Sequence, residues 1–325
     1  MLTKVSAGSQ MGVLDQLRIA VLLPCHNEEA AVAEVIGAFR AALPAATIYV
    51  YDNNSTDRTI EIAQSAGAVL RTERHQGKGY VVRRMFADVD ADVYVLADGD
   101  ATYDAPSAPA MIARLVEDKL DMVVGARVHR EESAYRRGHQ TGNRLLTGFV
   151  TNIFGQSFSD MLSGYRVFSR RFVKSFPVLS GGFEIETELT IHALELELPV
   201  AELDTPYYAR PRGSASKLNT WRDGFRILLS ILQIYRSERP LPFFSAIGFA
   251  LAIVALGLAI PIFVTFVQTG TVPRFPTAIL AMGLMLAALL SFASGLVLDT
   301  VTRGRREMKL LAYLRYGAPG DQARE

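Results

Sequence analysis

Cysteine is almost missing from this 325-residue chain; Cys25 is the only one. An intramolecular disulfide and a Cys-rich zinc site are therefore excluded, and a single thiol fits a reducing compartment. Excess charge of either sign is missing too. Thirty-four basic residues stand against 33 acidic ones, a formal net charge of +1. That balance argues against a general polyanion binder, so nucleic acid is not an expected partner. The histidines are His26, His75, His129, His139 and His192, and none pairs at metal-ligand spacing. No G-x-G-x-x-G follows the first strand-like run, and there is no H-E-x-x-H. Gly77-Lys78-Gly79 lacks the upstream glycine and the following Ser or Thr of a Walker loop. A dinucleotide dehydrogenase and a P-loop NTPase are set aside on these grounds.

One more absence is regional. No Asp, Glu, Lys or Arg occurs in the 34 positions between Arg239 and Arg274, nor in the 24 between Arg274 and Asp299. A membrane helix needs about 20 mostly apolar residues. Two spans fit, near 243–266 and 275–298, joined by a turn containing Gly270 and Pro273. Arg222, Arg226, Arg236 and Arg239 precede the first span, and Arg303, Arg305, Arg306, Lys309 and Arg315 follow the second. The turn carries only Arg274, so the positive-inside rule predicts both ends in the cytoplasm. No apolar stretch of signal-peptide shape precedes Ile19. The expected organisation is a tail over 1–17, a soluble domain over 18–218 and an interfacial amphipathic helix over 219–240. A two-helix transmembrane hairpin over 241–300 and a basic cytoplasmic tail over 301–325 complete it.

What the first half does contain is alternation. Apolar runs at 18–24, 47–51, 68–71, 93–97 and 122–125 read as strands. Helical patterns at 28–43, 57–66, 79–87 and 107–117 separate them. Fully apolar strands alternating with helices predict an α/β fold with a mostly parallel sheet flanked by helices. Ligands of such sheets sit beyond the carboxyl ends of the strands. The polar residues there are Asn27, Glu28, Asp52, Asn53, Asp98, Asp100 and Arg127.

Asp98-Gly99-Asp100 ends an apolar run. Two carboxylates on a tight turn can hold one hard divalent cation, Mg²⁺ or Mn²⁺, with phosphate oxygens completing its shell. A solvated acidic turn is the plainer reading of these three residues alone. Ser55-Thr56-Asp57 reads as a helix N-cap, and Asp52 adds a carboxylate able to accept from a base or ribose. Glycines around Lys78 let backbone approach a phosphate. Glu184, Glu186 and Glu188 read as a solvated helix start, with Glu186 the one to test, and His192 reads as packing in a helix. Ser169–Val178 mixes Arg170, Arg171 and Lys174 with Phe172, Phe176 and Val178. Like 219–236, it could lie in a membrane interface or pack on the sheet.

Taken in order, Pro24–Glu28, Tyr51–Asp57, Gly77–Gly79 and Asp98–Asp100 resemble the P-x-x-N-E, (V/Y)-D-(D/N)-x-S-x-D, G-K-G and D-x-D pieces of family 2 glycosyltransferases of the GT-A fold. Asp160–Arg166 looks like the D-x-x-S-G-(F/Y)-R motif of dolichyl- and polyprenyl-phosphate sugar synthases. Residues 210–217 resemble their R-x-x-G-x-S-K segment with one residue inserted, which leaves Arg210 and Arg212 as alternatives. The resemblance covers about residues 18–240. It implies that Pro24, Asn27, Glu28, Asp52, Asn53, Lys78, Asp98 and Gly99 line the nucleotide-sugar, and that Asp98 and Asp100 hold Mg²⁺ or Mn²⁺. Ser163, Arg166, Arg210, Arg212 and Lys217 would bind the acceptor phosphate. Asp160, Asp100 and Arg127 would be catalytic, with Asp160 a base or an acceptor-orienting group.

The implied enzyme is membrane-bound. It moves a sugar from a UDP- or GDP-sugar to a polyprenyl phosphate at the cytoplasmic face, with inversion and a divalent metal. A donor site built from the first 130 residues is expected to survive removal of 240–325. Two alternatives remain open here. One is a glycosyltransferase acting on diacylglycerol or another membrane alcohol. The other is a non-catalytic membrane scaffold with a sugar-nucleotide fold.

Overall fold

A computed structural model describes residues 16–129, 158–178, 185–208, 232–233 and 235–320. Its first unit is built on β1 (Ile19–Cys25), α1 (Val32–Ala42), β2 (Thr47–Asp52), α2 (Thr59–Ser65) and β3 (Val69–Thr72). It continues through α3 (Lys78–Asp88), β4 (Val93–Leu96), α4 (Ala108–Glu117) and β5 (Met122–His129). β6 (Arg166–Ser169), α5 (Arg170–Ser175), α6 (Ile185–Glu195) and β7 (Val200–Tyr207) follow.

The strands form one seven-stranded sheet in the order β3-β2-β1-β4-β6-β5-β7. All neighbours are parallel except at β6, which runs antiparallel to both β4 and β5. The apolar runs become central strands because both of their faces are covered; Val21, Leu22 and Leu23 have no exposure, nor do Val93, Tyr94 and Val95. Helix α1 lays Val32, Val35, Ile36 and Phe39 on the sheet, and α4 lays Ala108, Met111, Ile112 and Leu115. Both follow the helical repeat of one buried face.

Three sequence expectations need correction. The first helix starts at Val32 rather than residue 28, because Asn27 takes φ 55° and the backbone N–H groups of 27–29 donate to Ser55, Thr59 and Asp57 side chains. Arg127 lies inside a strand, not after one; β5 extends to His129 because β7 pairs with it along its full length, Arg127 opposite Thr205. Ser169–Val178 is not an interfacial segment. Phe172, Val173 and Phe176 are buried, and Phe172 stacks on Phe168 at 4.7 Å. The cations of this stretch are spent on the protein itself. Arg171 pairs with buried Asp121, Arg170 pairs with Asp90, and Lys174 donates to the carbonyls of Phe86 and Val89.

Residues 309–320 belong to this same unit. Lys309 pairs with Glu195 at 2.6 Å, the Tyr313 hydroxyl donates to Asp121 at 2.9 Å, and Arg170 lies over the Tyr316 ring. His192, as expected, is packing. It sits between Phe172 and Phe176, and burial pushes it down to about 3.

The second unit, residues 221–308, holds α7 (Pro240–Thr269) and most of α8 (Phe275–Tyr313). Both are long and apolar enough to cross a membrane. The helices meet on small residues seven apart: Gly248 and Ala255 on one, Ala281, Ala288 and Gly295 on the other. A Cβ on Gly248 would stand 2.9 Å from the Ala288 carbonyl oxygen, so only glycine allows this approach. The outward faces are large and apolar; Phe249 is 70% exposed and Phe263 68%. Such a surface suits a membrane or another apolar partner rather than water. The expected interfacial helix over 219–240 lies mostly outside the described residues, as do Arg210, Arg212 and Lys217.

Candidate active site

The site gathers at the carboxyl ends of β1, β2 and β4, where the parallel sheet opens. Pro24 is tolerated inside β1 because its missing N–H faces the β4 side, where pairing stops at Leu22 and Leu96. Asp52, at the end of β2, is 1% exposed and accepts from Ser55 N at 3.2 Å. Asn27 Oδ1 accepts from Thr56 N at 2.7 Å. Glu28 N donates to Thr59 Oγ1 at 2.8 Å, and Asp57 accepts from Thr59 N. The first two motifs are thus laced together before any ligand binds.

Asn53 ties in the third. Its amide donates to the carbonyls of Glu73 and His75 at 2.9 and 2.8 Å, and its Oδ1 accepts from Gly77 N at 2.8 Å. It therefore shapes the loop that delivers Lys78 to the start of α3. Gly99 also serves packing, since a Cβ there would lie 2.5 Å from Cys25 Sγ. Burial pushes the Cys25 thiol well up, which keeps it inert.

Lys78 is the hub. Its Nζ lies 2.5 Å from Asp98 Oδ1 and 2.5 Å from Glu186 Oε1. Burial disfavours the ammonium, but the charges of Asp98 and Glu186 outweigh it and hold Lys78 protonated above its ordinary range. Asp100, 3% exposed, accepts from Thr102 Oγ1 at 2.6 Å. Among the described residues no three His, Cys, Asp or Glu side chains gather as a ready metal cage. Two carboxylates still fit a hard cation whose remaining ligands are phosphate oxygens and water.

The acceptor-motif residues meet this hub at Gly164. A Cβ on Gly164 would stand 3.0 Å from Asp98 Oδ2, 3.0 Å from Lys78 Nζ and 3.2 Å from Tyr103 Oη. Gly164 N donates to that same Tyr103 oxygen at 2.8 Å. Asp160 is clasped by Arg127 through Nε at 2.6 Å and Nη2 at 2.7 Å. Burial pulls the Asp160 carboxyl up, yet the hydrogen bonds and charge of Arg127 outweigh this and leave it below the ordinary range. The carboxylate is thus held ionised against Arg127, an arrangement suited to orienting that side chain.

The Ser163 and Arg166 side chains, expected at the acceptor phosphate, are turned into the protein. Ser163 Oγ donates to Gly125 O at 2.6 Å, and both side chains are fully buried. The Arg166 guanidinium donates to Ser163 O, Met161 O and Thr190 Oγ1 at 2.9, 2.6 and 2.9 Å. Burial lowers it to about 10. Arg166 braces the loop at Met161–Ser163 against α6. Glu186, expected as part of a solvated helix start and as the acid to test, is instead buried in the first turn of α6 against Lys78.

Residues 20–176 match the sequence family described as glycosyl transferase family 2. Glycosyltransferase AglJ of Haloferax volcanii is 36% identical over 244 residues, 74% of this chain and 80% of that protein. A dolichyl-phosphate hexose transferase of the same organism is 27% identical, covering 68% and 95%. Among solved structures, glucosyl-3-phosphoglycerate synthase of Mycobacterium tuberculosis, in complex with Mn²⁺, UDP-glucose and phosphoglyceric acid, aligns with TM-score 0.59. It is 22% identical and covers 72% of this chain and 86% of that one.

Proposed function

Because this chain belongs to glycosyl transferase family 2 and is a glycosyltransferase, we propose that its reaction is transfer of a sugar from a UDP- or GDP-sugar to a polyprenyl phosphate, with inversion, at the cytoplasmic face of a membrane. The observation that carries this reading is the contact at Gly164. A Cβ on Gly164 would meet Asp98 and Lys78 at 3.0 Å, and this tight approach supports a reading in which the two motifs serve one site. A relative named for dolichyl phosphate and two apolar helices support a lipid acceptor. The basic residues flanking those helices support the cytoplasmic orientation.

The donor would lie along Pro24–Glu28, Asp52 and the loop held by Asn53. Asp98 and Asp100 would hold Mg²⁺ or Mn²⁺; the fold neighbour is a complex containing Mn²⁺ and UDP-glucose. Such an ion supplies charge stabilisation to a departing diphosphate. The nucleophile would be a phosphate oxygen of the acceptor, forming the C1–O bond as the bond to the nucleotide breaks. A phosphomonoester loses its second proton near pH ~6, so no strong base is needed at neutral pH. Asp160 then orients Arg127, whose guanidinium is suited to bidentate phosphate contact. Arg210, Arg212 and Lys217 remain proposed acceptor ligands.

The test is incubation of the full chain in detergent with labelled UDP- and GDP-sugars, offering undecaprenyl phosphate, dolichyl phosphate or diacylglycerol. Label in an organic-soluble, mild-acid-labile product with a prenyl phosphate is expected. Label appearing only with diacylglycerol would overturn the acceptor assignment.

A further inference from the structure

Glu186 is a buried carboxylate of the site that belongs to neither the D-x-D motif nor the acceptor motif. It sits in the first turn of α6, 7% exposed, with Oε1 on Lys78 Nζ. The two carboxylates sharing that ammonium differ in access. The side chains of Lys78 and Glu186 are 8% and 9% exposed, whereas that of Asp98 is 30% exposed. Glu186 is thus the inner partner, and Asp98 the one an arriving ligand can reach. Gly164 packs against both Lys78 and Asp98, its Cβ position 3.0 Å from each. Helix α6 is anchored by Thr190, which donates to Glu186 O at 3.1 Å and accepts from Arg166. The first turn of α6, which carries Glu186, is therefore tied to Arg166.

A buried ammonium stripped of its counter-ion is costly. A divalent cation and Lys78 compete for Asp98, because a carboxylate turned to a cation no longer balances the lysine. We infer that Glu186 is a positioning residue that keeps Lys78 when Asp98 turns to the divalent cation, so that the cation can bind without stranding a buried charge. This rests on the proposed reading that Asp98 and Asp100 hold that cation. With Glu186 neutral, Lys78 depends on Asp98 alone, and the cation must displace it.

The experiment is Mn²⁺ binding to the full chain in detergent without nucleotide, read by electron paramagnetic resonance. Glu186→Gln should weaken Mn²⁺ by about tenfold or more, the size of one charge-assisted hydrogen bond. The double variant Lys78→Met with Glu186→Gln removes the competing ammonium and should bind Mn²⁺ at least as tightly as wild type. A merely structural role for Glu186 would leave the double variant as weak as the single one, and that result overturns the inference. So does wild-type affinity in Glu186→Gln. If Glu186→Gln fails to fold, the double variant, a neutral pair, decides alone; binding tenfold weaker than wild type refutes the idea. Wild-type Mn²⁺ binding that is absent, or insensitive to Asp98→Ala and Asp100→Ala, removes the metal assignment itself and this inference with it. That failure is distinguishable from a failure at Glu186 only.

Discussion

Asp160→Asn separates a catalytic base from an orienting carboxylate. Asp160 receives Arg127 through the backbone N–H at 3.2 Å, Nε at 2.6 Å and Nη2 at 2.7 Å. The two side chains are 15% and 10% exposed, so solvent screens the pair little. Breaking a buried pair by neutralising one partner costs about 3–5 kcal/mol. Asparagine keeps one acceptor oxygen, so the loss should be close to 3 kcal/mol, or roughly 5–10 °C in melting temperature. The sign with pH follows from the depressed carboxyl. A group held below its unfolded value near ~3.9 contributes stability above that value and loses it only as pH falls through the folded one. Melting curves of the full chain in detergent should therefore show a constant gap between wild type and Asp160→Asn from pH 5 to pH 8. The kcat/KM profile should fall in Asp160→Asn while keeping its acid limb near pH ~6, because that limb belongs to the acceptor phosphate. A stability gap that changes between pH 6 and 8, or an acid limb that vanishes in the variant, would falsify the orienting role and restore Asp160 as the base.

Gly164→Ala pushes a methyl group to 3.0 Å from both Lys78 Nζ and Asp98 Oδ2. Overpacking of that kind costs about 1–3 kcal/mol, so we expect turnover in the sugar-transfer assay to fall by roughly fivefold to a hundredfold; wild-type kinetics would show that the Gly164 loop and the D-x-D turn need not touch. Removing 240–325 should not leave an intact domain, contrary to the sequence-based expectation, because Lys309 and Tyr313 complete the shells of Glu195 and Asp121. Tyr313→Phe alone should cost about 1.5–3 kcal/mol as a lost hydrogen bond to a charged group, measured by melting; no change would mean that Arg171 and Ser169 satisfy Asp121 without it.

The parallel part of the fold was legible because its strands are buried on both faces, and burial on both faces writes an unbroken apolar run into the chain. The two long helices were legible for a similar reason: an outward face such as Phe249 and Phe263 is as apolar as the inward one. The motifs at Asn27, Asp52, Lys78 and Asp98 could be placed because polar residues ending apolar strands have one end of the sheet to go to. What only the tertiary structure decided is which partner each charge has. β6 enters antiparallel between β4 and β5, and that insertion sets Gly164 against Asp98 and turns Arg166 inward. Nothing in the sequence separates an arginine that braces a loop against a helix from one that meets a phosphate, since both are cations near a glycine. Glu186 looked like a solvated helix acid because its partner, Lys78, is 108 residues away. Periodicity reports which face of an element is buried, whereas an ion pair between distant elements exists only once the sheet has brought them together.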